Sequence, residues 1–252
     1  MKKHIKNLNF KNLVINNFLS NKQCKKIIFE LNNFNKFDDF VMGGRKRINK
    51  GSKNFTEFLK KSKYSKSFYK KLNNKKFYLK INKFFETLPG RYFFNNTNFQ
   101  YSKKIFGSQK GKKITEIKTN LKKNIVYLDL DFSISTKGYS RGPHRDRDSR
   151  LINFLIYLNK LDKIDGAKLK LFNVKNKNIS YLKKRFLPQS KLQTVKTLEP
   201  QQGKIIFFES SPNSYHSVTN FYAKKLRKDI LFTEAIHLIK KFLGKLINDF
   251  NK

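Results

Sequence analysis

The sequence predicts a mainly β protein with flanking helices, its strands closed as a jelly roll. Three observations predict it. Six strand-length apolar runs follow residue 124, no helical segment separates them, and helix-type spacing is confined to roughly the first hundred residues and the C-terminal end.

Residues 13–32 read as a short strand followed by a helix. Ser20 and Gln23 stand at capping-box spacing, and Ile27, Ile28 and Leu31 give the helix an apolar face around Cys24. Gly43–Lys53 is basic and punctuated by glycine, the composition of a loop. Ser65–Leu88 returns to helical spacing through Phe68, Leu72, Leu79, Ile81 and Phe84. Ser102–Lys123 carries eight lysines against the single Glu116, which suits a flexible insertion or a hairpin. Asn124–Ser135, Leu151–Asn159, Lys168–Phe172, Gly203–Glu209, His216–Phe221 and Asp229–His237 are the six predicted strands, each rich in Ile, Leu, Phe, Tyr or Val. Ile239, Phe242, Leu243, Leu246, Ile247 and Phe250 follow a 3.6-residue period, an amphipathic helix expected to pack back on the domain. One domain over 1–252 is expected: helical support over 1–100, a β core over 101–237 and the last helix over 238–252.

Composition bounds the function without naming it. No apolar run approaches the ~18 residues of a spanning helix, no secretory signal is recognised, and a cytoplasmic location is the expectation. A single cysteine, Cys24, excludes an internal disulfide and a Cys-rich zinc site, so a metal would be held by His and carboxylate. The 57 Lys and Arg against 17 Asp and Glu leave a formal net charge of +40. That charge has two readings: the drift of an A/T-rich coding sequence, in keeping with the abundance of Lys, Asn, Phe and Ile, or a surface that binds polyanions such as nucleic acid.

Four histidines are present, and two sit in metal-site contexts. His144-Arg145-Asp146 places imidazole and carboxylate two residues apart, so in an extended segment both project from one face. His216 follows a strand and a turn rich in Ser, Pro and Asn. Two His and one carboxylate form a facial triad that suits Fe(II) and leaves open coordination positions. Zinc accepts the same set but then wants a general base, for which Glu209 is the nearby candidate. Arg227, eleven residues after His216, offers a cation that can clamp a carboxylate, with Lys225 and Lys228 as competitors. His4 and His237 read as surface or packing histidines.

With these residues in order, the sequence resembles the 2-oxoglutarate- and Fe(II)-dependent dioxygenases, in particular their prolyl-hydroxylase-like branch. The likeness runs through Asn16-Asn17-Phe18-Leu19-Ser20 and its helix, Pro143-His144-Arg145-Asp146, and the strand from Arg150 that ends in Tyr157-Leu158-Asn159. It continues through Asp165-Gly166-Ala167-Lys168-Leu169, where Ala167 stands in place of the usual second glycine, then Pro200 to Phe208, and His216-Ser217-Val218. The resemblance implies a double-stranded β-helix with N-terminal helices. It implies iron on His144, Asp146 and His216, Arg227 paired with the far carboxylate of 2-oxoglutarate, and Tyr157 hydrogen-bonded to the same cosubstrate. O2 would be consumed, succinate and CO2 released, and ascorbate is a candidate reductant. Because Asp146 is present, hydroxylation is implied rather than halogenation. Substrate classes in view are a prolyl or other amino-acid side chain in a protein or peptide, or a small metabolite. The alternatives are a nucleic-acid-directed oxygenase and a non-enzymatic polyanion-binding jelly roll.

Overall fold

The computed structural model describes residues 2–41, 44–87, 100–103, 125–146, 150–176, 184–222, 230–234 and 237–239. In chain order the elements are β1 (Lys2–Lys3), β2 (Asn12–Ile15), α1 (Asn21–Asn32), β3 (Asp39–Val41), β4 (Arg45–Asn49), α2 (Lys53–Lys61), α3 (Lys63–Leu72) and α4 (Lys75–Thr87). Then come β5 (Gln100–Tyr101), β6 (Ile125–Tyr127), β7 (Asp131–Ser135), β8 (Arg141–His144), β9 (Ile152–Tyr157), β10 (Leu169–Val174) and β11 (Leu192–Leu198). The last four are β12 (Ile205–Glu209), β13 (Tyr215–Val218), β14 (Ile230–Glu234) and β15 (His237–Ile239).

Two of the apolar runs build the centre of the larger sheet. Every residue of β9 and β12 is buried, and strand alternation divides them between two faces. Ile152, Phe154, Ile156, Ile205 and Phe207 pack with the helices, joining Cys24, Ile27 and Leu31 of α1, Phe55 and Phe58 of α2, and Phe68 of α3. Leu155, Tyr157, Ile206 and Phe208 point the other way and meet Leu169, Leu171 and Leu198 of the second sheet. An eight-stranded sheet in the order β1-β2-β12-β9-β14-β7-β4-β3 thus carries helices on one face and a four-stranded sheet, β11-β10-β13-β8, on the other. The two sheets, antiparallel throughout, form the predicted jelly roll.

The first helix forms where its cap predicts. Ser20 Oγ accepts from the Gln23 backbone N–H, and the Gln23 side chain accepts in turn from the Ser20 N–H. Cys24 is buried in this helix as a core residue, and burial pushes its thiol up to about 11.

Several boundaries differ from the sequence expectation. The single helix expected over 65–88 is two, α3 and α4, divided at Asn73-Asn74, where the Asn74 side chain accepts from the Lys76 N–H and starts a new helix. The basic loop expected over 43–53 contains the strand β4. Ile48 faces the helices, while Arg47 is neutralised by Asp39 and Asp131 at 2.6 and 3.2 Å. The run expected over 124–135 is interrupted at Leu128–Leu130, giving β6 and β7 in different sheets. The described part of 238–252 is the strand residues Leu238 and Ile239; the amphipathic helix otherwise lies outside the described residues, as does the insertion beyond Lys103.

Two glycine turns lock the strands together. Gly166 has φ +80, and the following Ala167 has φ +53, a left-handed conformation that costs an alanine about 1 kcal/mol where glycine would adopt it freely. Gly203 has φ +74, and a Cβ there would lie 2.1 Å from the Leu19 carbonyl oxygen, on the segment entering α1. Gly203→Ala therefore lowers stability by about 2 kcal/mol or more, read as a shifted urea midpoint, because both the conformation and the contact turn unfavourable.

Candidate metal centre

β8 and β13 are neighbours, and their register sets His144 directly opposite His216. The imidazole centroids lie 4.3 Å apart. Asp146, two residues beyond the end of β8, brings its carboxylate to the same point. One donor atom from each of His144, Asp146 and His216 falls within 4.8 Å of the others, and all three side chains are buried.

The two histidines are held in the same way. His144 Nδ1 lies 2.8 Å from the Gly142 carbonyl oxygen and His216 Nδ1 lies 3.1 Å from that of Ser214, in each case two residues upstream. A proton on Nδ1 donated to that carbonyl leaves the Nε2 lone pair free to bind a metal. Burial, with His216 and Arg141 adding to it, holds the His144 imidazole down at about 3, so the ring is neutral. Burial pushes the Asp146 carboxyl up, but the Arg150 guanidinium and both histidines outweigh it and hold the group below the usual carboxylate range. Arg150 Nη1 donates to Asp146 Oδ1 at 2.6 Å, and Oδ2 faces His216 Nε2 at 3.7 Å. Two imidazoles with their Nδ1 atoms turned to backbone carbonyls and one ionised carboxylate fit Fe(II), and the fit rests on this donor chemistry.

Arg150 orients the Asp146 carboxylate without being one of the three candidate ligands, and residues of that kind tune metal affinity. Arg150→Gln is expected to weaken Fe(II) or Co(II) binding by about 10–100-fold, measured by calorimetric titration.

The zinc alternative loses its general base. Phe208 turns inward, its ring 4.8 Å from that of His216, so the adjacent Glu209 points to the opposite face, where its Oε2 accepts from the Lys11 N–H. Tyr157 is buried on the inner face of β9, in one apolar cluster with Tyr139 and Phe208. Burial, with Tyr139 and Glu199 nearby, raises its phenol above the ordinary range, so the hydroxyl keeps its proton and can donate it in a hydrogen bond. Arg227 and its competitors Lys225 and Lys228 lie outside the described residues. His4 sits at the far end of the eight-stranded sheet, its Nδ1 3.3 Å from the Asn12 carbonyl.

Sequence reasoning gave no role to Arg141, whose Nε donates to His144 Nε2 at 2.8 Å, or to Phe186, whose ring lies against His144. In the sequence Arg150 reads as the start of a strand, and its spacing of four from Asp146 is the signal that marks the pair.

Residues 130–232 match the family model of the 2OG-Fe(II) oxygenase superfamily. No curated protein sequence matches the chain. Among solved structures, a prolyl 4-hydroxylase from Phytophthora capsici superposes with a TM-score of 0.53 at 11% identity, covering 96% of this chain and 67% of that one. A Pseudomonas putida prolyl-4-hydroxylase gives 0.47 at 14%, covering 93% and 95%. The Paramecium Bursaria Chlorella virus-1 collagen prolyl hydroxylase gives 0.43 at 13%, covering 94% and 99%. Among the described residues no helix is long and apolar enough to cross a membrane. The stretch that matches the family model contains His144, Asp146, Tyr157 and His216, so the residues of the site fall in the part of the chain that is similar to the 2OG-Fe(II) oxygenase superfamily, and that similarity supports a dioxygenase that uses Fe(II) and 2-oxoglutarate.

Proposed function

We propose that the protein hydroxylates a prolyl or other amino-acid side chain, carried by a protein, a peptide or a small metabolite. The observation that carries this reading is the buried convergence of His144, Asp146 and His216 with both Nδ1 atoms already committed to backbone carbonyls. These three residues hold the iron, which with 2-oxoglutarate and O2 supplies the oxidation. Tyr157 donates a hydrogen bond to the cosubstrate, and Arg227 pairs with its far carboxylate. Asp146 fills the position that a halide would otherwise need, which supports hydroxylation. The sequence resemblance supports the prolyl-hydroxylase-like branch.

The test is anaerobic loading with Fe(II) and 2-oxoglutarate, admission of O2, and measurement of succinate with candidate peptides, free proline or lysine, and single-stranded DNA or RNA. Succinate coupled to an amino-acid or peptide substrate supports the reading. Coupling to nucleic acid alone replaces it with the second reading, which the +40 charge favours. Arg227→Ala is expected chiefly to raise the KM for 2-oxoglutarate, by about tenfold or more for the loss of a charge-assisted pair. The same effect from Lys225→Ala or Lys228→Ala would move the anchor to that lysine.

A further inference from the structure

We propose that Arg141 and Phe186 form the substrate-recognition edge of the metal centre, and that the preferred substrate is an acidic peptide with a carboxylate beside the residue that is oxidised. The inference rests on the hydroxylase reading above and specifies its substrate class.

Arg141 opens β8 and lies half-buried, reaching the centre from the side of His144. Its partner among the described residues is the Nε2 of His144, a neutral acceptor and the same nitrogen a metal takes. Loading the centre therefore leaves a guanidinium, with its planar fork of donors, at the rim without that acceptor. The neighbouring carboxylate cannot replace it, because Asp146 is engaged by Arg150 at 2.6 Å and by His216. Among the described residues no carboxylate pairs with Arg141, and an incoming carboxylate matches its geometry.

Phe186 supplies the apolar half. The segment around it pairs with the end of β8: His144 and Phe186 are bridged, and the Arg145 N–H donates to the Arg185 carbonyl at 2.9 Å. The Tyr215 hydroxyl donates to the Lys184 carbonyl and ties the same segment to β13. On this fixed backbone the Phe186 ring stands 62% exposed, 6.3 Å from the His144 ring and inclined to it by 27°. A held, exposed ring beside a buried polar centre is a platform for an aliphatic or cyclic side chain. The Arg185 guanidinium lies 5.2 Å from that ring, and Lys184 is exposed beside it. The rim is thus cationic around one apolar face, which draws in acidic chains and repels basic ones.

The test uses peptides of equal length with one central proline, flanked by Asp and Glu, by Asn and Gln, or by Lys. Dissociation constants are measured by calorimetry on protein loaded with Ni(II) and 2-oxoglutarate, and KM values from succinate on the Fe(II) enzyme. The acidic peptide is expected to bind about tenfold or more tightly than its amide counterpart, the worth of one charge-assisted contact. Arg141→Gln should erase that difference with the affinity for 2-oxoglutarate unchanged. Arg141→Glu should turn the preference towards the Lys-flanked peptide, a gain that misfolding cannot produce. Phe186→Ala should weaken all three peptides. Equal affinities, failure of every peptide to bind, capture of single-stranded RNA in place of peptide, or an Arg141→Gln defect confined to 2-oxoglutarate would each overturn the inference. A protein that takes up neither metal nor 2-oxoglutarate fails at the loading step, before peptide is added, and there the hydroxylase reading falls and takes this one with it.

Discussion

Alanine at position 146 is expected to lower iron affinity by more than about 100-fold and to end succinate formation, a larger loss than the 10–100-fold typical of residues that only support a metal ligand. Asp146 supplies the one anionic donor of the trio, whereas the imidazoles of His144 and His216 offer lone pairs but no negative charge to balance a cation. The same substitution removes the ion pair that Asp146 makes with the nearly buried Arg150, which lowers stability. Metal titration at low temperature, with circular dichroism to monitor folding, separates the two effects. In the double variant Asp146→Ala with Arg150→Ala the cation that faced Asp146 is removed with it, so stability should return in part while iron affinity should not. Unchanged iron affinity in either variant would refute the ligand assignment.

Phe132→Ala should be the most damaging change away from the centre. The ring is fully buried on β7 and meets Phe58 at 5.1 Å, Phe55 at 5.9 Å and Phe68 at 6.4 Å, so it fastens α2 and α3 to the eight-stranded sheet. Truncation leaves a cavity among three aromatic rings, at a cost of about 3–5 kcal/mol. For a chain of this size the melting temperature should fall by roughly 6–20 °C. Phe40, 70% exposed on β3, is the control, and its replacement by alanine should stay within about 0.5 kcal/mol. Comparable melting of the two variants would show that the helical layer is not anchored through β7.

The parts of the structure readable from the sequence are those decided locally. α1 announces itself because Ser20 and Gln23 cap one another three residues apart, and β9 and β12 do so because both of their faces are buried and every position is apolar or nearly so. Strands that depend on distant partners are hidden. β4 reads as a basic loop because the carboxylate that neutralises Arg47 from β7 lies at Asp131, far along the chain. β11 reads as polar because Gln193, Thr194, Lys196 and Thr197 are exposed, with Leu192 and Leu198 marking its buried ends. The Asn73-Asn74 break hides inside a periodic run, since an Asn that ends one helix and caps the next leaves the apolar spacing intact.

The centre follows the same division. His144 and Asp146 declare themselves by spacing, and His216 by the turn before it, because each signal is carried within a few residues. That Arg141 lies on His144 Nε2, or that Phe186 faces the same ring across the edge of a sheet, depends on pairings no local pattern records. The opposite facing of Phe208 and Glu209 follows from strand alternation, but which of the two turns inward is decided by packing against His216.

The pairing of β2 with β12 joins Ile15 to Ile205 and Asn12 to Phe208. During synthesis the Leu13-Val14-Ile15 stretch leaves the ribosome roughly 190 residues ahead of the strand that shelters it, a wait of about 10–40 s at cellular elongation rates. Over that interval one edge of a sticky ribbon hangs open from the nascent chain, so yield in a cell should depend on holdase chaperones and on slow, cool expression more than on the final stability of the fold.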